Sequence, residues 1–190
     1  MRVFLGIGFN DEIKRKINGA EEWVKTKIVS GSFVPEENHH ITIHFLGSIE
    51  EERIERLKEI LDKAASEVKP FDLQFEKIGV FSKRKGNIIW LGIKDNEELQ
   101  KCHAILKDFL LASGFNAEVM PYTPHITLVR NAKVDRENFN LEKINDDFPE
   151  IRDMVKVDRL VLFESTRVEG RLCYLEKYES RLSSKRIRKE

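Results

Sequence analysis

A four-residue phrase occurs twice in this chain, and each copy prescribes a strand with two chemically distinct faces. His40-Ile41-Thr42-Ile43 and His125-Ile126-Thr127-Leu128 both read histidine, apolar, threonine, apolar. Successive side chains of a β-strand point to opposite faces, so each His shares a face with its Thr and the apolar pair takes the other. The fold must therefore bury two apolar strand faces and leave two imidazoles and two hydroxyls on the opposite ones. One copy alone is a weak signal, because Thr favours strands and a lone half-buried His is usually structural. Two copies in matching contexts reverse that weighting.

The contexts do match. Val3 to Phe9 reads as a strand ended by Asn10-Asp11, and a helix follows with Ile13, Ile17, Val24 and Ile28 at helical spacing. A loop from Ser30 to Asn38 leads to the first motif strand, about His39 to Leu46. Ser48 and Glu51 form a capping-box signature before a helix whose stripe is Ile54, Leu57, Leu61 and Ala64. Phe71, Leu73 and Phe75 then alternate as a half-buried strand running towards Phe81. After the Ser82–Gly86 turn, Asn87 to Ile93 returns as a strand. Asp95 and Glu98 suggest a second capping box, opening a helix with Leu99, Cys102, Leu106 and Phe109 inward and Gly114 at its end. The second motif strand covers about His125 to Arg130. A less regular stretch from Asn131 to Asp153 precedes two last strands, Val155 to Glu164 and Arg171 to Tyr178. Strand, helix, loop and motif thus recur in order, which predicts an internal duplication with the motif strands facing across a cleft.

Thirty-three basic residues balance thirty-three acidic ones among 190, so no global field draws the chain to nucleic acid or membrane. Residues 1–180 are expected to form one bilobal domain. Arg181 to Glu190, with five cations and one acid, reads as a basic, solvated tail. Cys102 and Cys173 sit among apolar neighbours and are expected to be reduced and buried. No signal peptide or membrane span is visible, which predicts a cytoplasmic protein. Glutamine occurs only twice while Lys and Glu abound, a composition that hints at a thermophilic source.

These blocks resemble the 2H phosphoesterase superfamily, in particular its RNA 2′,3′-cyclic phosphodiesterase branch, once called 2′-5′ RNA ligases. The likeness runs from MRVFLGIGFNDEIKRKI through Phe33-Val34-Pro35 and His40 to Gly47, then Pro124 to Arg130, and ends near Leu162-Phe163-Glu164-Ser165. The chain departs from it at His44, where the family often has Lys, and at Val168-Glu169-Gly170, where a Pro and a Gly-Pro pair are common. The resemblance implies an α+β fold of two pseudo-symmetric lobes of antiparallel sheet, helices outside and an active-site cleft between. It also implies hydrolysis of RNA 2′,3′-cyclic phosphate ends to 2′-phosphomonoesters, with reverse 2′-5′ ligation alongside. Expected partners are RNA carrying such ends, tRNA fragments among them. Neither a membrane nor a cofactor is expected, and the protein is expected to be a monomer.

The residue types suit that chemistry. Opening a cyclic diester with water needs a base for the water and an acid for the leaving ribose oxygen. Two imidazoles titrating near neutrality can hold opposite protonation states. The pseudo-symmetry makes their roles easy to exchange; we take His40 as general acid and His125 as general base. Thr42 and Thr127, each about 6.7 Å along the strand from its His, can donate to non-bridging phosphate oxygens. Arg130 offers a fixed charge and a planar donor fork. A regular strand puts it on the far face, so a bulge or the strand's end must turn it inward, and its phosphate role rests on the resemblance.

Other candidates carry less. His44 shares the face of His40 on a regular strand but lies roughly 13 Å along it, too far to share a metal, and reads as a polar rim residue within reach of substrate. His39 points the other way, so no metal site is expected. His103 reads as surface. Tyr122 could stack on an RNA base or pack against the cleft wall. Lys83, Arg84 and Lys85 read as a charged hairpin tip. Two other readings stay open: a related enzyme acting on 2′-5′ oligoadenylate or an ADP-ribose cyclic phosphate, and a non-catalytic RNA-end binding module.

Overall fold

Asn10, two residues past the first strand, caps the first helix, its side-chain oxygen accepting from the Ile13 amide at 2.9 Å. In the computed structural model, which describes residues 1–84, 86–117, 121–135, 139–148 and 154–183, strand β1 (Arg2–Gly8) is followed by helix α1 (Asp11–Lys25). Ile13, Ile17, Ala20 and Val24 form its buried stripe, and Ile28 falls beyond its end. Strand β2 (Ser30–Phe33) comes next, then motif strand β3 (His40–Ser48), helix α2 (Ile54–Glu67), β4 (Phe71–Phe81) and β5 (Asn87–Ile93). Helix α3 (Glu97–Ala112), motif strand β6 (His125–Lys133), the short α4 (Leu141–Asp146), β7 (Met154–Val157), β8 (Arg159–Val168) and β9 (Arg171–Arg181) complete the order.

The strands make two antiparallel sheets, ordered β3-β1-β8-β9 and β2-β6-β5-β4-β7. This is the expected α+β arrangement, and the duplication is visible in the pairing: β1 flanks β3 as β5 flanks β6. The helices cross between the halves. α1, which follows a strand of the first sheet, packs against β6 of the second, whereas α3, which follows β5, packs against β3 and α2. One apolar core, contributed by both sheets and all three long helices, locks the lobes together. A second, small cluster of Phe4, Val161 and Phe163, with Tyr174 against it, lies on the other face of the first sheet. It becomes a wall of the cleft.

Several expectations need correction. The loop before His40 holds β2, which pairs with β6, and a short 3-10 turn at Glu36–Asn38. Ser48 belongs to β3, and α2 starts after a 3-10 turn at Glu51–Arg53 with no side-chain cap, so the first capping box does not form. At α3 the cap is Asn96, not Asp95, accepting from Leu99 N at 2.9 Å. That helix ends at Gly114 (φ 71°), where Phe115 N and Gly114 N donate to Leu110 O and Leu111 O, the pairing of a Schellman turn. Leu110 rather than Phe109 is its last buried residue.

The apolar stretch expected as one strand from Val155 to Glu164 is two. β7 pairs with β4 in the second sheet, and β8 pairs with β1 in the first, so the chain changes sheets at Asp158. The tail also starts later than position 181. Arg181 still pairs in β9, Leu182 is buried, and Ser183 N donates to Ala65 O at 3.0 Å. Positions 184–190, which hold most of the basic tail, lie outside the described residues. Of the cysteines, Cys102 is buried and Cys173 only half-buried, and both are free. Among the described residues no helix is long and apolar enough to cross a membrane.

Candidate active site

Both motif strands carry a bulge at the same place. On β3, Gly6 pairs with Thr42 but Leu5 pairs with His44, leaving Ile43 as an extra residue; on β6, Trp90 pairs with Thr127 but Ile89 pairs with Val129, leaving Leu128 extra. An extra residue flips the alternation beyond it. The residue four after each histidine, His44 or Val129, is therefore turned into the core. The residue five after, Phe45 or Arg130, joins the face of the His and Thr. A bulge is what Arg130 required to reach the site, and it has one.

The two histidines are held alike. His40 Nδ1 lies 2.7 Å from the Asn38 carbonyl, and His125 Nδ1 lies 2.8 Å from the Thr123 carbonyl. A carbonyl only accepts, so Nδ1 carries the proton on both rings and Nε2 is left as the working atom. Nε2 of His40 accepts from the Thr42 hydroxyl at 3.0 Å. Aromatic rings hold both imidazoles from behind: Phe4, Tyr174 and Phe163 stand 4.6, 4.8 and 5.6 Å from His40, and Phe81 and Trp90 stand 5.0 and 5.8 Å from His125. None of these rings, nor the two backbone carbonyls, was singled out from the sequence. Phe45 could have been, since it follows His40 at the interval by which Arg130 follows His125.

Burial and charge both act on the pair. Burial pushes the His40 imidazolium down to about 4 against the opposing pull of the Asn38 carbonyl, with Arg130, His125 and His39 adding repulsion. His125 is lowered as well, first by burial and then by Arg130, with the Thr123 carbonyl opposing. Arg130 thus acts on both rings, which places the guanidinium and the two imidazoles around one space. Both imidazoles are neutral in the free site at neutral pH.

That space is a cleft with two lobes that share Thr42 and Phe45. One, about 620 Å³, is lined by His40, Arg130, Phe4 and Tyr174, with Arg2 and Arg167 further out; the other, about 340 Å³, is lined by His125, Phe81, Lys83, His103 and Tyr122. Lys83 therefore belongs to the cleft wall. Arg84 does not line it, and Lys85 lies outside the described residues.

Two expectations about the other histidines fail. His44 is not on the rim: the bulge buries it, its Nε2 lies 2.9 Å from the His103 carbonyl, and its ring stacks on that of His103 at 4.4 Å. This burial takes it out of reach of a substrate. His103 is not a free surface residue, because Tyr122 stacks on its other face at 4.2 Å and 4°. Burial, His44 and Lys107 hold its imidazolium down to about 4. The Tyr122 hydroxyl donates to Thr42 O at 3.2 Å, and burial pushes its own titration up. His39 faces away as expected, buried with its Nε2 3.4 Å from Glu21.

Comparison with known proteins identifies the family and the fold. The family described as the 2′-5′ RNA ligase superfamily matches residues 20–169. A Thermotoga maritima protein named RNA 2′,3′-cyclic phosphodiesterase is 30% identical over 190 residues, 99% of both chains. A Methanocaldococcus jannaschii protein of the same name is 32% identical over 171 residues, 87% of this chain and 92% of that one. The E. coli LigT structure complexed with 3′-AMP superposes with a TM-score of 0.79 at 23% identity, over 96% of this chain and 98% of the other, and shows the same fold.

Proposed function

The chain belongs to the 2′-5′ RNA ligase superfamily, and from that premise we propose that it hydrolyses 2′,3′-cyclic phosphate ends of RNA to 2′-phosphomonoesters by acid/base catalysis between His40 and His125. The observation that carries this reading is the matched anchoring of the two rings, each with Nδ1 on the carbonyl two residues before it, which leaves Nε2 as the atom that does the chemistry. The relatives named RNA 2′,3′-cyclic phosphodiesterase support the choice of substrate over 2′-5′ oligoadenylate or ADP-ribose derivatives, and matched proton-transfer groups favour an enzyme over a binding module.

In the reaction, water lies against His125 Nε2, which takes its proton as the water oxygen bonds to phosphorus. The bond from phosphorus to the ribose 3′ oxygen breaks on the opposite side, and His40 Nε2–H protonates that oxygen. Thr42, Thr127 and Arg130 hold the non-bridging oxygens, whose charge is greatest midway. The free site suits the base as it stands. The acid gains its proton as the anionic phosphate arrives, because a nearby negative charge raises an imidazole pKa. His125 leaves with the proton and His40 without one, and exchange with solvent resets both.

Tyr122 acts through position rather than by stacking on a base, since His103 already covers one face and its hydroxyl is engaged by Thr42 O. Two free cysteines fit a reducing cytoplasm. The test is incubation with cytidine 2′,3′-cyclic phosphate and with an oligonucleotide bearing the same end, followed by identification of the monoester isomer. A 2′-phosphate is expected; a 3′-phosphate, or no turnover, would reject the reading.

A further inference from the structure

The larger lobe of the cleft holds more positive charge than one cyclic phosphate requires. Its wall carries three arginines, Arg2, Arg130 and Arg167, together with the hydroxyls of Ser165 and Thr166, and among the described residues no carboxylate lines it. The ion pairs of the described residues engage other arginines, such as Arg56, Arg159 and Arg181, but none of these three. In a chain whose charges otherwise balance, three arginines without carboxylates around one cavity mark an anion site. A 2′,3′-cyclic phosphate carries a single negative charge, and Arg130 stands beside the histidines to meet it.

The other two arginines stand farther out. On β8, Phe163 touches the His40 ring, and Ser165 and Arg167 follow on the same strand face, each about 6.7 Å beyond the last. On β1, Phe4 touches His40 and Arg2 lies one such step away, with its guanidinium 5.0 Å over the Phe45 ring. Apolar surface from Phe4, Phe45, Leu172 and Tyr174 fills the interval. A cation, an apolar wall and a second pair of cations match, in order, a phosphate, a nucleoside and the next phosphate of one chain. Arg167 is held in place by donating to the Gly170 carbonyl at 2.7 Å, which leaves most of its donor fork available.

Resting on the activity proposed above, we infer that Arg2 and Arg167 form a subsite for the 5′-phosphate of the terminal nucleotide, so that the site reads a phosphodiester-linked RNA end and not merely a cyclic phosphate. The discriminating pair of substrates is cytidine 2′,3′-cyclic phosphate and the same nucleotide carrying a 5′-phosphate. The wild-type protein should show a kcat/KM for the 5′-phosphorylated form at least tenfold higher, a preference that fades as KCl is raised. In the double variant R2Q/R167Q the ratio of the two kcat/KM values should fall to near one. Because the readout is a ratio, partial misfolding lowers both values and leaves it unmoved. A wild-type ratio near one, or a variant ratio equal to that of wild type, overturns the subsite. If the wild-type protein turns over neither substrate, the proposed activity fails. The subsite is then judged separately, from the Kd ratio of cytidine 2′-phosphate with and without the 5′-phosphate, by the same criterion.

Discussion

The Tyr122 hydroxyl donates to the main-chain carbonyl of Thr42 at 3.2 Å, and this one bond ties the strand that carries His40 to the segment that leads into His125. Tyr122 is held by the ring of His103, which is itself stacked on His44. The chain of contacts runs from the buried side of one bulged motif strand to the entrance of the other. It is the part of the structure most able to fix the distance between the two halves of the site.

Tyr122→Phe keeps the ring and removes the bond. A single neutral hydrogen bond contributes about 0.5–1.5 kcal/mol, so kcat on cytidine 2′,3′-cyclic phosphate should fall by roughly 2- to 13-fold. KM and the pH profile should stay where they are, because no substrate group and neither imidazole is touched. A steady-state comparison of the two proteins checks this split.

The pH dependence follows from the lowered imidazoles. Activity needs one neutral and one protonated ring, and kcat/KM reports the free protein. With His40 near 4 and His125 also held below its ordinary 6.5, the maximum of kcat/KM should lie below pH 6.5 and decline as pH rises and the acid form is lost. The kcat profile should sit at higher pH, since bound phosphate raises both rings. EDTA should change neither profile.

Arg130→Gln removes the charge that lowers both histidines. In the free protein the ring-proton NMR titrations of His40 and His125 should both move upward. Turnover should nevertheless drop by roughly 10²–10³, the loss expected when a donor to the developing charge is removed. A fall in activity with unmoved titrations would separate phosphate binding from the electrostatic role.

Gly6 lies in β1 opposite Thr42, and a Cβ there would stand 2.4 Å from the backbone oxygen of Ile41. Backbone cannot swing aside as a side chain can, so Gly6→Ala should destabilise by about 1–3 kcal/mol. That corresponds to a Tm lower by roughly 2–12 °C for a protein of this size, read by calorimetry.

What could be read from the sequence was whatever the period of a strand encodes. His40, Thr42 and His125 line the cleft because alternation is enough to place them, and Thr127 holds the alternate position after His125 on β6. His44 departs from simple alternation because the bulge at Ile43 shifts it by one, and a bulge leaves little trace in the residues that make it. The matching bulge at Leu128 explains why Arg130 had to be taken on resemblance. Strand β2, with the sequence Ser-Gly-Ser-Phe, has no apolar alternation to announce it and is held by its neighbour β6. The join at Asp158 was invisible because the apolar pattern runs on while the chain passes between sheets. Asn38 and Thr123 anchor the imidazoles through backbone carbonyls, which any residue supplies. Arg2 and Arg167 are far apart in sequence, and only the pairing of β1 with β8 brings them to one wall.

The account stands most directly on the two histidines acting as a pair, and single-turnover hydrolysis of an oligonucleotide 2′,3′-cyclic phosphate by His40→Ala and His125→Ala measures this. Each variant should keep the wild-type circular dichroism spectrum and lose roughly 10²–10⁴ in rate. Wild-type rates in either folded variant would contradict the shared site.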